Sequence, residues 1–102
     1  MKNYLCKFIP PRTNFLNTMT EEELRLMKEH GAFLDQLLAK GIIVAHGPVI
    51  EGDSGYGVSL YRIEDDADIT QFTSEDPIVK NGIGHYEHYV MPHLSYRQSE
   101  IN

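Results

Sequence analysis

A histidine within an apolar helix face is the first residue of this 102-residue sequence that could do chemistry. At about 100° per residue, positions 20–40 divide into a charged sector and an apolar sector. His30 falls in the apolar sector, between Leu26 and Leu37. An imidazole that faces a core needs a hydrogen-bond partner or a cleft. Two interpretations remain open: a core histidine bonded to a backbone carbonyl, and an acid–base group beside a pocket.

Asp76 is the second candidate, because it stands directly before Pro77 at a predicted helix start. Asp is a favoured N-cap and Pro a favoured first helical residue, so capping alone explains the pair. A capping carboxylate nevertheless keeps a second oxygen for a neighbour. If that neighbour is His30, the carboxylate fixes the imidazole tautomer and leaves the other ring nitrogen able to move a proton. This hypothesis predicts a His30–Asp76 contact within hydrogen-bonding distance beside a cavity.

The remaining cysteine and histidine patterns are weaker. His85 and His88 have a spacing seen in metal sites, but an odd separation on a strand points them to opposite faces. No cysteine cluster or His-Glu-x-x-His motif is present, so no metal site is expected. The single cysteine, Cys6, lies in an apolar strand and is predicted to be a core residue.

The elements that must position these residues follow from periodicity, caps and turn residues. A capping box, Thr20 to Glu23, opens the main helix, and Gly41 closes it. Asp65 or Asp66 is expected to cap the second helix. The predicted order is strand 4–9, loop 12–19, helix 20–40, strand 42–46 broken by Gly47-Pro48, hairpin loop 52–55, strand 56–63, a short helix, a helical turn from Asp76 to Gly82, and strand 86–91.

This β-α-β-β-α-β order predicts an α+β, ferredoxin-like fold with a four-stranded antiparallel sheet and both helices on one face. Several strands are apolar on both sides: Leu5 and Ile9 oppose Cys6 and Phe8 in the first strand. A sheet with one solvated face would alternate more cleanly. We therefore expect a homodimer that covers the helix-free sheet face.

Composition narrows the class of protein. The length predicts a single domain over residues 1–102, with a core at about 4–92 and a mobile or partner-contacting tail at 93–102. The net charge is −6 with scattered Lys and Arg, which disfavours a nucleic-acid partner. The first residues lack the long apolar run of a signal peptide, and no stretch reaches transmembrane length. A cytoplasmic protein without membrane contact is expected.

Four stretches also resemble a known family: "IPPR…MTEEE…MKEHGAFLDQLLAKG", "HGPV", "GYGVSLYRIED" and "DPIVKNGIGHYEHYVMP". In this order and spacing, over about residues 4–92, they are similar to the YCII-related (YciI-like, DGPF-type) proteins. The resemblance implies a dimeric α/β barrel with a His/Asp-centred cleft. It places the helix histidine at His30 and the Asp-Pro aspartate at Asp76.

The resemblance also bears on ligand binding. The Pro-Pro-Arg segment that ends in Arg12 matches one subgroup of the family, and His46 stands where an apolar residue is more usual. Arg12, as an anion anchor, and His46 are the substrate-binding candidates. One family relative is a dehydrochlorinase that acts on a chlorinated hydroxyquinol.

Two functions are therefore predicted from the sequence. The first is a cofactor-independent enzyme, lyase- or dehydrochlorinase-like, in which His30 and Asp76 transfer a proton on a small aromatic or enolisable substrate. The second is a non-catalytic ligand-binding or accessory module with the same cleft. A His–Asp contact of about 2.6–3.2 Å that opens onto a pocket favours the enzyme.

Overall fold

The chain forms one antiparallel sheet covered on one face by helices. A computed structural model describes residues 1–97. The four strands lie in the order β2-β3-β1-β4, and every neighbouring pair is antiparallel. This arrangement confirms the predicted α+β ferredoxin-like fold. The elements are β1 (Lys2–Ile9), α1 (Phe15–Thr18), α2 (Glu21–Ala39), β2 (Ile43–Glu51), β3 (Ser54–Ile63), α3 (Ile69–Thr73), α4 (Pro77–Lys80) and β4 (His85–Met91).

The long helix α2 begins and ends where its capping residues predict. The Thr20 hydroxyl accepts a hydrogen bond from the Glu23 amide at 3.1 Å, and the Glu23 carboxylate accepts one from the Thr20 amide at 2.9 Å. This reciprocal pair satisfies two of the free N–H groups at the helix start. Gly41 follows the C-cap with a φ of +78°, a conformation that glycine adopts without steric cost.

The buried face of α2 joins two core clusters, and His30 lies between them. Leu26 packs in a cluster with Phe8, Phe15 and Ile78, whereas Leu34 packs in a second cluster around Cys6 and Tyr61. His30 is four residues from each leucine and only 7% exposed. Residues four apart share a helix face, so the helix packing holds the imidazole against the sheet.

Four predicted boundaries were wrong. The hairpin turn consists of Gly52 and Asp53 rather than residues 52–55, because β3 begins at Ser54. The segment 12–19 contains the short helix α1, because Phe15 is an apolar anchor with only 3% exposure. Strand β2 continues through Gly47-Pro48 to Glu51; it is an edge strand, where a proline without an N–H is tolerated. Helix α3 is capped by Asp68 rather than by Asp65 or Asp66, since its carboxylate accepts from the Thr70 amide at 3.0 Å.

The segment after β4 has no regular structure over residues 93–97. Tyr96 lies near the sheet, with the Arg62 guanidinium 5.7 Å from the centre of its ring. The rest of the predicted mobile or partner-contacting tail, residues 98–102, lies outside the described residues. That role of the tail stays a prediction.

Gly84 allows β4 to pass close to the aromatic residue that supports His30. Its φ is +71°, and an added Cβ would lie 2.5 Å from the Ile9 carbonyl oxygen and 2.7 Å from the Phe8 ring. Gly84→Ala should therefore add overpacking of about 1–3 kcal/mol to the cost of the left-handed backbone. Gly82→Ala is the matched control, because its φ is +73° with open space around the Cβ position. Chemical denaturation should show a lower free energy of unfolding for Gly84→Ala than for Gly82→Ala. An equal loss of unfolding free energy in the two variants would contradict the close approach.

Candidate functional site

The side chains of His30 and Asp76 meet inside the protein. His30 Nδ1 is 2.6 Å from Asp76 Oδ2, and the aspartate is fully buried. The other carboxylate oxygen, Oδ1, accepts a hydrogen bond from the Ile78 amide at 3.2 Å, which makes Asp76 the N-cap of α4 with Pro77 at its first position. One carboxylate thus caps a helix and contacts an imidazole. The contact inferred from the sequence is present, and its catalytic role stays a prediction.

This contact determines which imidazole nitrogen faces a ligand. A carboxylate can only accept hydrogen bonds, so the neutral His30 ring carries its proton on Nδ1 and donates it to Asp76. The Phe8 ring, with its centre 5.1 Å from that of His30, packs against the imidazole. The ring nitrogens point away from each other, so Nε2 is the one left for a ligand; it bonds no other residue within 1–97.

A cleft of about 490 Å³ lies beside His30, on the helix side of the sheet. Its walls come from the loop after β1, from α1 and α2, and from the β2–β3 hairpin. Most of the lining is apolar, with Phe8, Met27 and Leu34 among the contributors. An apolar cavity with a few convergent polar groups is the usual form of a small-molecule site.

Tyr86 is a third member of the buried group, and the sequence reasoning missed it. Its hydroxyl donates to Asp76 Oδ2 at 2.6 Å, the same oxygen that His30 contacts. The strand register pairs Tyr86 with Phe8, so both side chains lie on the helix side of the sheet. Strand alternation could have placed Tyr86 on this face, but nothing local in the sequence indicates which group its hydroxyl bonds.

Arg12 lies at the cleft, but most of its donors are already used. The guanidinium makes four hydrogen bonds, at 3.1 and 2.6 Å to Thr18 and at 2.9 and 2.8 Å to the Glu23 carboxylate. Arginine has five N–H donors, so one is left for a ligand. The hydrogen bond from Arg12 lowers the pKa of Glu23 to about 2. These contacts hold the loop after β1 against the start of α2.

His46 lines the same cleft and is paired with an acid on α2. Its Nε2 lies 2.8 Å from Asp35 Oδ1, and its side chain is 18% exposed. In the neutral ring the proton on Nε2 is donated to Asp35. The cleft therefore contains two histidines, His30 at a buried carboxylate and His46 at an exposed one. The sequence alone did not reveal the Asp35 contact.

The other histidines do not form a metal cluster in the part of the chain that the structure describes. His88 bonds the Thr73 hydroxyl at 2.8 Å, and burial lowers the pKa of His88. His85 is 64% exposed. Among helices within residues 1–97, none is long and apolar enough to cross a bilayer.

Comparisons with known proteins agree with this architecture. A family model described as the YCII-related domain matches residues 4–92. The fold is similar to 5-chloro-2-hydroxyhydroquinone dehydrochlorinase (TftG) from Burkholderia phenoliruptrix AC1100, solved in complex with 2,5-dihydroxybenzoquinone. That similarity has a TM-score of 0.63 and 18% identity, over 88% of this chain and 94% of the other. SnoaB, a cofactor-independent oxygenase from Streptomyces nogalater, gives a TM-score of 0.47 and 13% identity over 99% and 97%. No curated protein sequence matches significantly.

Proposed function

Because this chain belongs to the YCII-related domain family, we propose that it is a cofactor-independent enzyme that transfers a proton on a small aromatic or enolisable substrate. The observation that supports this most is the buried contact between His30 and Asp76 at the wall of an apolar cleft. A carboxylate-bound imidazole is suited to general acid–base catalysis, since its free nitrogen can accept and return a proton.

In the proposed reaction, His30 Nε2 accepts a proton from a C–H or O–H group of the substrate. The electron pair of the broken bond moves into the substrate's conjugated system, and the positive charge that forms on the ring is stabilised by the Asp76 carboxylate. In an isomerisation the imidazolium returns the proton to another substrate atom. In a dehydrochlorination the electron pair expels chloride, and the proton passes to solvent.

The cleft and the structural neighbour support one substrate class. A volume of about 490 Å³ and a largely apolar lining suit a small ring compound. The neighbouring dehydrochlorinase, of similar fold, is named for a chlorinated hydroxyhydroquinone. Hydroxylated rings and their quinones are therefore the proposed class. Arg12 is the proposed anion-binding group, through the N–H that Glu23 and Thr18 leave free.

Hydrogen–deuterium exchange provides a direct test that does not require the full reaction to be known. The protein is incubated in D₂O with 2,5-dihydroxybenzoquinone, and loss of the ring C–H signal is followed by NMR. Chloride release from 5-chloro-2-hydroxyhydroquinone is measured in parallel. Catalysed exchange or chloride release that His30→Ala abolishes would support the enzyme, and His85→Ala is the control because that ring is exposed. Binding without either signal would indicate a non-catalytic ligand-binding module, and no binding would reject this substrate class.

His46 is proposed to bind a polar substituent of the substrate. Asp35 orients its ring, and the residue lines the cleft with a nitrogen not used by that contact. His46→Leu should raise KM by about 2–10-fold, the value of one hydrogen bond, with a smaller change in kcat. Asp35→Asn should have a weaker effect in the same direction. A KM unchanged in His46→Leu would contradict this role.

We also propose that two copies of the chain pair through the helix-free sheet face. On this face the strand register forms a row of Tyr89, Leu5, Leu60 and Ala45 across all four strands. Tyr89 is 49% exposed. An apolar row at the centre of a sheet face is typical of the core of a stable interface, which buries roughly 1,600 Å² in all.

A further inference from the structure

The carboxylate of Asp76 accepts three hydrogen bonds in a fully buried position. Its donors are the Ile78 amide, the His30 ring and the Tyr86 hydroxyl. Among the described residues no Lys or Arg forms an ion pair with it; its one ion-pair partner is His30, which is charged only when protonated. A buried carboxylate depends on such donors, because water is not available to solvate its charge. Each donor therefore affects how strongly the Asp76 carboxylate stabilises a proton on the His30 ring.

Tyr86 is held in place independently of Asp76. Its ring makes an edge-on contact with Phe8, with ring centres 5.6 Å apart and planes at 66°. The backbone register of β4 against β1 sets the position of its Cα opposite Phe8. Phe8 in turn packs on His30. The sheet thus positions the Tyr86 hydroxyl at Asp76, whereas α2 positions the His30 imidazole there.

Tyr86 remains a donor over the working pH range. Burial, followed by the charge of Asp76, raises the pKa of Tyr86 far above its ordinary value of 10. Its hydroxyl therefore keeps its proton and cannot replace the carboxylate as a base. The hydroxyl and the imidazole both donate to Oδ2. Two donors on one acceptor oxygen compete, so each hydrogen bond weakens the other.

Building on the function proposed above, we infer that Tyr86 is a positioning residue that orients the Asp76 carboxylate and weakens its hold on the protonated form of His30. A base that binds its proton too firmly returns it slowly, so a competing donor on the carboxylate favours turnover in both directions. Tyr86 does not itself handle the transferred proton. Its hydroxyl acts on Asp76, the hydrogen-bond partner of His30, and His30 is the residue that transfers the proton.

The neighbouring titratable groups allow this effect to be measured cleanly. Burial raises the pKa of the Cys6 thiol to about 12, and burial likewise raises the pKa of Tyr61. Both groups stay neutral near pH 7. At the cleft, Arg12 is paired with Glu23, and His46 with Asp35. His88, whose ring centre lies 6.2 Å from that of Tyr86, bonds Thr73 rather than Asp76. A change in the titration of His30 on removing the Tyr86 hydroxyl would therefore report the Tyr86–Asp76 contact, because among the described residues that hydroxyl bonds only Asp76.

The test is Tyr86→Phe, which removes only the hydroxyl and keeps the ring packed on Phe8. Proton NMR of the His30 ring C–H signals, in the protein without substrate, gives the pH midpoint of its titration. We expect the midpoint to rise by about 0.4–1 pH unit, because the less solvated carboxylate favours the imidazolium. Tyr89→Phe is the matched control: Tyr89 is on the same strand, and its hydroxyl donates to Glu87 at 2.7 Å on the helix-free sheet face, away from Asp76.

The outcomes separate this inference from the proposed function. A raised midpoint in Tyr86→Phe alone supports the inference even if no substrate is ever turned over. An unchanged or lowered midpoint in a variant with native circular dichroism overturns it, because a purely structural tyrosine would change the melting temperature without changing the titration. If exchange activity is found, the acidic limb of its pH profile should move in the same direction and by a similar amount.

Discussion

His30→Ala is expected to lower kcat/KM by about 10²–10⁴-fold in whichever exchange or elimination assay reveals activity, because it removes the group that accepts the proton. The protein should stay folded, since Leu26 and Leu34 keep α2 packed on the sheet on either side of the vacated position. Circular dichroism and sedimentation of the variant, beside the kinetic assay, check both parts. Retained activity in a folded His30→Ala protein would falsify the proposed role.

Asp76→Asn gives the companion measurement. Asn caps helices about as well as Asp, so the start of α4 should survive the change. The amide has lost the negative charge that stabilises the imidazolium, and it can present a donor to the Nδ1 side of the ring, which favours the wrong tautomer. We expect reduced kcat with a folded protein and a smaller loss than in His30→Ala. Full activity would show that the carboxylate acts only as a cap.

The second large effect is expected from Leu60→Glu, which should weaken the proposed dimer by about 100-fold or more. Leu60 lies in the middle of the row on the helix-free face, between Leu5 and Ala45. Residues at the centre of an interface contribute most of its binding energy, and an unpaired carboxylate there would have to be desolvated. Sedimentation velocity across micromolar concentrations should change from a dimer to a monomer.

Val90→Glu is the matched control for that substitution. Val90 is also apolar, on a strand of the same sheet, and 70% exposed. Its register partner is Tyr4, which places it on the opposite sheet face from Leu60. The dimer should therefore persist in Val90→Glu. Equal dissociation of both variants would place the dimer contact elsewhere. A wild-type protein that sediments as a monomer would exclude the dimer.

Local signals in the sequence were sufficient for the main helix and the sheet. The capping box Thr20–Glu23 and Gly41 predicted the ends of α2 to within a residue or two, because caps act within one helical turn. Strand β2 was predicted too short at Pro48, since only its place at the sheet edge makes a proline acceptable there. Asp68 was missed as a cap because three aspartates stand close together, and the sequence does not indicate which one bonds the helix start.

Helix periodicity predicted an imidazole against the core, and the Asp-Pro step predicted a carboxylate at the start of a helical turn. His30 lies four residues from both Leu26 and Leu34, and Asp76 precedes a proline, so both placements follow from neighbours along the chain. The groups that these side chains meet depend instead on the tertiary fold. The Asp76 oxygen is shared with Tyr86, and His46 is paired with Asp35, through contacts between separate elements. Such contacts depend on strand register and on how α2 sits over the sheet, which no short stretch of sequence specifies.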